Sequence, residues 1–159
     1  MNITYKVIGS PVGKLILIAK NNKLTGLLWE KTFAKMKINA VLDDNNAIFI
    51  EAEKQLNEYF SGKRKVFDLP LEFIGTDFQK KVWQALLTIP HGKKLSYSEL
   101  AAKIGSPKAC RAVGLANSRN PISIVVPCHR VIGKNGRLTG FAGGLEVKDF
   151  LLNLEKKWS

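Results

Sequence analysis

Cysteine and histidine are scarce in this chain, two of each in 159 residues, and one of each stands side by side in the stretch IVVPCHRVI at residues 124–132. A thiol attacks as its thiolate. With an unperturbed pKa of ~8.5 it is ionised only to a few per cent near neutrality, so a nucleophilic Cys128 needs a neighbouring base or a positive field. His129 is the base at hand, acting directly or through one water. A carboxylate would then have to orient its imidazole, following the general order of nucleophile, base and orienter. Residues 81–159 offer only four acids, Glu99, Glu146, Asp149 and Glu155. Glu155 lies on the last helix, from which it could return over the site. One objection is that neighbours in a regular strand point to opposite faces; Pro127 relaxes it by breaking the apolar run. A structural reading stays open beside the chemical one. Cys128 would then be a small buried hydrophobe and His129 a satisfied core imidazole, and Cys110 a small side chain inside a helix. A zinc site built from Cys110, Cys128, His91 and His129 lacks any C-x-x-C or H-x-x-x-H clamp, so no metal is expected.

These residues need elements to position them. Three short apolar stretches, ITYKVI, KLILIA and LTGLLW, are separated by Gly9, Ser10, Pro11 and Gly13 and then by Asn21 and Asn22, which predicts an antiparallel meander. Ile48, Ala52, Leu56, Tyr59 and Phe60 fall at helical spacing over 46–60. Ser61 and Gly62 end that helix, and VFDLPLEF reads as extended. The first half contains no Cys and no His, and no chemistry is read in it.

In the second half Thr76 and Gln79 have capping-box spacing, opening a helix with Phe78, Val82, Trp83, Leu86 and Ile89 in its apolar stripe. Ser96 and Glu99 repeat the pattern, with Leu100, Ala101 and Ile104 inward and Gly105 at the end. Ser106 is expected to cap the next helix, with Pro107 in its first turn; Val113 anchors it and Asn120–Pro121 ends it. Two short helices joined by a Gly-containing turn predict a helix-turn-helix, a motif that usually docks its second helix in a DNA groove. That helix carries Lys108 and Arg111, with Arg119 just beyond. RVIGKNGRLTG reads as a hairpin turning at Lys134-Asn135-Gly136, in the place of a wing. Leu145, Phe150, Leu151 and Leu154 line a final helix.

The net charge of +12 is unevenly spread: residues 1–80 carry 12 Lys+Arg against 9 Asp+Glu, residues 81–159 carry 13 against 4. Such a basic half fits a polyanionic partner or a lysine-rich solubilising surface, and the arginines beside the helix-turn-helix favour nucleic acid. No apolar run is long enough to span a bilayer, the first residues lack a signal-peptide layout, and two cysteines do not make a disulfide scaffold. A cytoplasmic protein that is not membrane-bound is expected, monomeric by default.

The stretch NPISIVVPCHRVIGKNGRLTGFAGGLEVKDFLLNLE resembles the active-site region of the O6-alkylguanine-DNA alkyltransferases, and the resemblance extends back through SPKACRAVGLANSRNP and SYSELA to GTDFQKKVWQALLTIPHGK. It covers essentially all of residues 75–159; the first half resembles the family in size and strand-helix layout. The resemblance implies an α+β chain with a small α/β domain over 1–74, then a mainly helical winged helix-turn-helix domain over 75–159 that binds DNA and accepts the alkyl group. The implied reaction is direct reversal of damage. The Cys128 thiolate takes the alkyl group from O6-alkylguanine, and from O4-alkylthymine, by in-line displacement, once per molecule and without a cofactor.

By the same resemblance His129 is the base acting through a water, Glu155 orients it, and Asn120 is a hinge bracing the turn. Tyr97 and Arg111 rotate the base out and replace it in the stack, while Ala112, Gly114, Ser118 and Arg119 complete the DNA-binding surface. That helix enters the minor groove of double-stranded DNA, where small side chains fit and sequence reading is weak. Tyr97, Val131, Phe141, Ala142, Gly143 and Lys148 form the alkylguanine pocket. Two departures stand out: Phe141 and Ala142 replace the hydroxylated side chains of some members, and Asp77 replaces a frequent proline. The zinc site of some members finds no ligands in this first half. An alkyltransferase-like binding module, which usually has tryptophan at the cysteine position, a winged-helix regulator and a cysteine hydrolase are the competing readings.

Overall fold

A strand with five successive apolar residues must be covered on both faces, and β2 (Leu15–Lys20) is such a strand, buried from Leu15 through Ala19. In this computed structural model, which describes residues 2–134, 141 and 143–159, β2 lies inside a sheet with β1 (Ile3–Ile8), β3 (Lys23–Trp29) and β4 (Ala40–Leu42). The order is β3-β2-β1-β4. The first three strands form the antiparallel meander expected from the sequence, and β4 adds to β1 in parallel. Asn21 and Asn22, with φ of 54° and 60°, supply the two left-handed residues that a tight two-residue hairpin loop demands. On one face Ile16, Ile18 and Leu28 pack with Ile3, Tyr5, Phe33 and Ile38. Phe33 belongs to α1 (Glu30–Met36), a helix with no fully buried residue. α2 (Ala47–Phe60) is capped by the Asn46 side chain and buries Phe49, Ala52, Gln55, Leu56 and Tyr59. Ala52, Leu56 and Tyr59 of the expected stripe are inward, while Phe49 and Gln55 are buried in place of Ile48 and Phe60.

The extended segment after α2 is held by side-chain and backbone bonds rather than by a full ladder. The Gln55 amide donates to the Asp68 carbonyl at 2.9 Å and accepts from the Asp68 amide at 2.8 Å. Leu24 then pairs with Leu71 in a single parallel bridge.

The chain divides into two compact units, Met1–Phe73 and Ile74–Ser159. The second is mainly helical. α3 (Asp77–Leu86) and α4 (Tyr97–Lys103) each begin with a complete capping box, Thr76 with Gln79 and Ser96 with Glu99. α3 buries Val82, Trp83 and Leu86, and Trp83 Nε1 donates to the Ala116 carbonyl at 2.8 Å. That bond ties α3 to α5 (Cys110–Ser118).

The link between α4 and α5 departs from expectation. Gly105, at φ +77°, turns the chain out of α4, while the Gly105 and Ser106 amides return to the Ala102 and Ala101 carbonyls. This is a Schellman closure, so Ser106 belongs to the end of α4. Residues Ser106–Ala109 form a turn closed by Ala109 N on Ser106 O at 2.9 Å. Pro107 occupies the second position of that turn, which suits its fixed φ, and α5 starts at Cys110 without a side-chain cap. The two helices pack against one another, as a helix-turn-helix does.

The chain then crosses a buried run, Ile122 to Arg130, and forms β6 (Val131–Ile132), parallel to β5 (Leu95–Ser96). The expected hairpin turn at Asn135-Gly136 and its return arm lie outside the described residues, as does Ala142. α6 (Leu145–Trp158) buries Lys148, Leu151 and Glu155. Leu151 is buried as expected, whereas Leu145 and Phe150 are exposed; two charged residues complete the inward face of this helix.

Candidate functional site

The site grows from the end of α5. Asn120, buried, sits two residues past the helix, accepts the Ile122 amide on its Oδ1 at 3.0 Å and donates Nδ2 to the Val126 carbonyl at 2.7 Å. Between these anchors, and just past the second, the backbone makes two opposite three-residue turns. Val125 N bonds Ser123 O at 2.8 Å around Ile124, whose φ is +73°. That is the rarer, strained form of the γ-turn, at a β-branched residue, and such a position costs on the order of 1–3 kcal/mol. Cys128 N bonds Val126 O at 2.8 Å around Pro127, whose φ of −82° and ψ of 64° give the relaxed inverse form. A 3₁₀ turn over Cys128–Arg130 follows, with all three side chains buried. Asn117, on the inner face of α5, donates to the Cys128 carbonyl at 3.4 Å. Cys128 and His129 therefore stand in a turn, and the strand geometry that would have separated them is absent.

Glu155 on α6 is the point where the turn is fastened. His129 Nε2 lies 2.6 Å from its Oε2. Arg130 approaches in the forked manner of a guanidinium on a carboxylate, Nε to Oε1 at 2.8 Å and Nη2 to Oε2 at 3.0 Å. The Gly92 amide adds a bond to Oε1 at 3.1 Å, and Arg130 Nη1 reaches the Ile89 carbonyl at 2.6 Å. The loop after α3 is in this way part of the site. Burial alone would raise the Glu155 pKa; the His129 and Arg130 hydrogen bonds and charges more than reverse that and hold it well below the usual carboxylate range. An ionised Glu155 requires His129 Nε2 to donate, which leaves Nδ1 as the acceptor of a neutral ring. Nδ1 has no protein partner among the described residues.

His129 is fully buried. Burial lowers its pKa; Glu155 pulls it upward, and the Arg130 and Lys148 charges push it down again, with a lowered value as the result. Burial raises the Cys128 thiol, against the opposing pull of the Asn120 side chain, the Lys148 charge and the Ser123 side chain. The resting pair is a thiol beside a neutral imidazole. Lys148, buried, donates Nζ to the Val131 carbonyl at 2.6 Å, and its own pKa is lowered by burial and partly restored by the Cys128 charge.

The other expected residues fall in two places. Val131 and Lys148 are joined by the bond just described. Phe141 and Gly143, both half-buried, precede α6, where Gly144 N closes on Phe141 O at 2.9 Å. Arg111, Ala112, Ser118 and Arg119 are exposed along α5. Gly114 on that helix faces Tyr97: a Cβ built there would meet the Tyr97 ring at 3.7 Å. Leu115, four residues from both Arg111 and Arg119, is 53% exposed in the middle of this cationic face.

Arg130, Ser123, Gly92 and Leu115 belong to the arrangement without having been singled out as site residues, and Ile89 was expected only in an apolar helix stripe. For Arg130 the signal was its place directly after the Cys-His pair; the Ile89 and Gly92 contacts are made by backbone and leave no residue-type signal. Among the described residues no group of three or more His, Cys, Asp or Glu is placed to hold a metal ion, and no helix is long and apolar enough to cross a membrane.

Set beside known proteins, the chain as a whole is similar to several. The family described as 6-O-methylguanine DNA methyltransferase, DNA binding domain, matches residues 77–157, and the 6-O-methylguanine DNA methyltransferase, ribonuclease-like domain, matches residues 3–73. A methylated-DNA–protein-cysteine methyltransferase of Methanosarcina barkeri is 51% identical over 152 residues, 96% of each chain. The crystal structure of the Mycobacterium tuberculosis O6-methylguanine methyltransferase aligns with a TM-score of 0.88 at 47% identity, covering 99% of this chain and 94% of that one. The Mycobacterium tuberculosis OGT in complex with DNA aligns with a TM-score of 0.90 at 48% identity, covering 98% and 94%.

Proposed function

The chain belongs to the 6-O-methylguanine DNA methyltransferase family, and on that premise we propose that it is a methylated-DNA–protein-cysteine methyltransferase that repairs O6-alkylguanine in double-stranded DNA by accepting the alkyl group on Cys128. The observation that carries this reading is the buried thiol in a turn whose next residue, His129, is held by Glu155 at 2.6 Å with its Nδ1 turned to no protein group among the described residues. A raised thiol pKa beside a neutral imidazole means that the proton must leave as sulfur attacks, which is general-base chemistry. His129 Nδ1 takes the thiol proton through a water. The sulfur–carbon bond forms in line as the carbon–oxygen bond to the purine breaks, and the electron pair left on the purine is protonated by that same proton, restoring guanine. The S-alkylcysteine is a stable thioether, so each molecule acts once. The Lys148 ammonium favours the developing thiolate by its charge.

A buried thiol can react only with a base brought to it, and a base inside a duplex must first leave the stack, at a cost of a few kcal/mol. The exposed face of α5 supports minor-groove docking: Ala112 and Gly114 allow close approach, Arg111 replaces the extruded base, Ser118 and Arg119 meet the backbone, and Tyr97 at the start of α4 helps rotate the nucleotide out. Asn120 braces the turn. Tyr97, Val131, Phe141, Ala142, Gly143 and Lys148 hold the flipped base, which includes O4-alkylthymine as a second substrate. The protein works as a cytoplasmic monomer without a cofactor, with residues 1–74 and 75–159 as its two domains. Incubation with excess O6-benzylguanine or alkylated duplex, followed by intact mass measurement, should give one added alkyl group on Cys128 and none in Cys128→Ala. Repeated turnover or the absence of an adduct would overturn the reading.

A further inference from the structure

Arg130 is buried, 6% exposed, and the transfer reaction as written leaves it without a task. Its fork occupies both Glu155 oxygens, at 2.8 and 3.0 Å, and its remaining arm is spent on the Ile89 carbonyl at 2.6 Å. A buried ion pair is a poor way to gain stability, because desolvation of the two charges consumes most of the attraction. The geometry has a second consequence. A carboxylate offers about four acceptor positions, and donors from His129, Arg130 (twice) and Gly92 converge on this one. The guanidinium places its charge directly on both carboxylate oxygens, so the negative charge that His129 faces is already balanced.

We infer that Arg130 is a positioning residue for alkyl transfer: by filling both oxygens of Glu155 it lets the carboxylate orient His129 through Nε2 without drawing the ring into its charged form, and so keeps the Nδ1 lone pair free to accept the thiol proton. The inference rests on the alkyl-transfer reading. The charges acting on His129 are those of Glu155 and Lys148 from α6 and of Arg130 beside it; the loop after α3 contributes the Ile89 carbonyl and the Gly92 amide. Glu155 favours the imidazolium, and Arg130 and Lys148 oppose it. Without Arg130 a buried, unbalanced carboxylate would face the ring, and the resting imidazole would hold the proton that blocks it as a base.

The test is the single-turnover rate with O6-benzylguanine, which needs no DNA docking, followed between about pH 5 and 8, where histidine titrates. In Arg130→Met the acid limb, where the rate falls as His129 takes up a proton, should move to higher pH by about one unit, a tenfold loss at a fixed acid pH. Arg130→Lys, which keeps the charge, should bring the limb back towards the wild type. An acid limb that stays in place in a folded Arg130→Met, judged by near-UV circular dichroism, overturns the inference while leaving single alkylation of Cys128 intact. Failure of wild-type Cys128 to be alkylated overturns the function itself, so the two failures are distinct. If Arg130→Met does not fold, nitrogen-15 NMR of the wild-type histidines decides: a neutral His129 with the proton on Nε2 near pH 7 is expected, and an imidazolium there overturns the inference.

Discussion

Asn120 closes the loop over Ile122–Val126 with both ends of one amide, accepting the Ile122 N–H on Oδ1 at 3.0 Å and donating Nδ2 to the Val126 carbonyl at 2.7 Å. The same Val126 carbonyl receives the Cys128 amide at 2.8 Å. One side chain thus fixes the backbone immediately before the thiol and sets the strained Ile124 turn in place.

Replacing Asn120 by Ala should therefore be costly. Two buried bonds are lost and the Ile122 amide is left unsatisfied, a loss of about 2–4 kcal/mol. Asn120→Asp keeps the acceptor for Ile122 but loses the donor to Val126, and it places a negative charge beside the thiol. Both variants should lower the thermal midpoint. The alkylation rate at neutral pH should fall further in Asn120→Asp than in Asn120→Ala, because the added charge opposes the thiolate. Equal rates in the two variants would mean that Asn120 acts on the fold alone.

Stability should fall with acid in two steps. His129 has a folded pKa below 6.5, so as pH drops from there the unfolded chain binds a proton that the native state refuses, and stability declines. Glu155, held below its ordinary 4.5, repeats this from that pH downward: its contribution is complete above 4.5 and is lost as pH falls towards the folded value. Urea midpoints taken through this range should decline from about pH 6.5 and more steeply below about pH 4.5. In Glu155→Gln, less stable at neutral pH, the second decline should be shallower. A wild-type curve flat down to about pH 4.5 would contradict the His129 shift, and one that does not steepen below it would contradict the Glu155 shift.

The legible parts of this chain are the local ones. The capping boxes at Thr76/Gln79 and Ser96/Glu99 and the Asn21-Asn22 hairpin follow from residues within a few positions of each other. α1 escapes notice because it has no fully buried residue and so imposes no periodic apolar stripe. Ser106 and Pro107 make a plausible helix start by type, but the Ser106 amide is already used in closing α4. The inner face of α6 misleads most. Lys148 and Glu155 point inward because their partners, the Val131 carbonyl and the His129–Arg130 pair, lie 17 to 26 residues upstream. Composition cannot show that; residue types leave Glu155 one acid among four, picked out by its place on the last helix and then by the resemblance.

Gly92 is a position where two costs can be separated. Its φ is +80°, and a Cβ there would stand 2.7 Å from Ser159 Cβ, while its amide serves Glu155. Gly92→Ala should cost about 1–3 kcal/mol and slow reaction with O6-benzylguanine, since the Glu155 donor set is disturbed. Adding Ser159→Gly removes the clash but not the backbone strain, so thermal stability should recover only in part. Full recovery would show that the left-handed backbone conformation carries no cost here.

The outer face of α5 should matter for duplex DNA alone. Arg111, Leu115 and Arg119 recur every four residues and are exposed, whereas the inner face, through Asn117 and Ala116, holds the thiol's turn and Trp83. Truncating the outer side chains leaves those inner contacts in place, so reaction with free O6-benzylguanine should stay within about twofold of wild type. On alkylated duplex Arg111→Ala and Leu115→Gln should each slow repair on the order of tenfold or more. The arginine would no longer fill the gap left by the extruded base, and the leucine would no longer pack against the sugar walls of a narrow groove. Arg119→Ala should instead weaken binding evenly across sequences and reduce the slope of log affinity against log salt by about one, the signature of a phosphate contact. If the arginine and leucine variants slowed the free-base reaction as much as the duplex reaction, the outer face would be acting through the fold, and base extrusion would have to be assigned elsewhere.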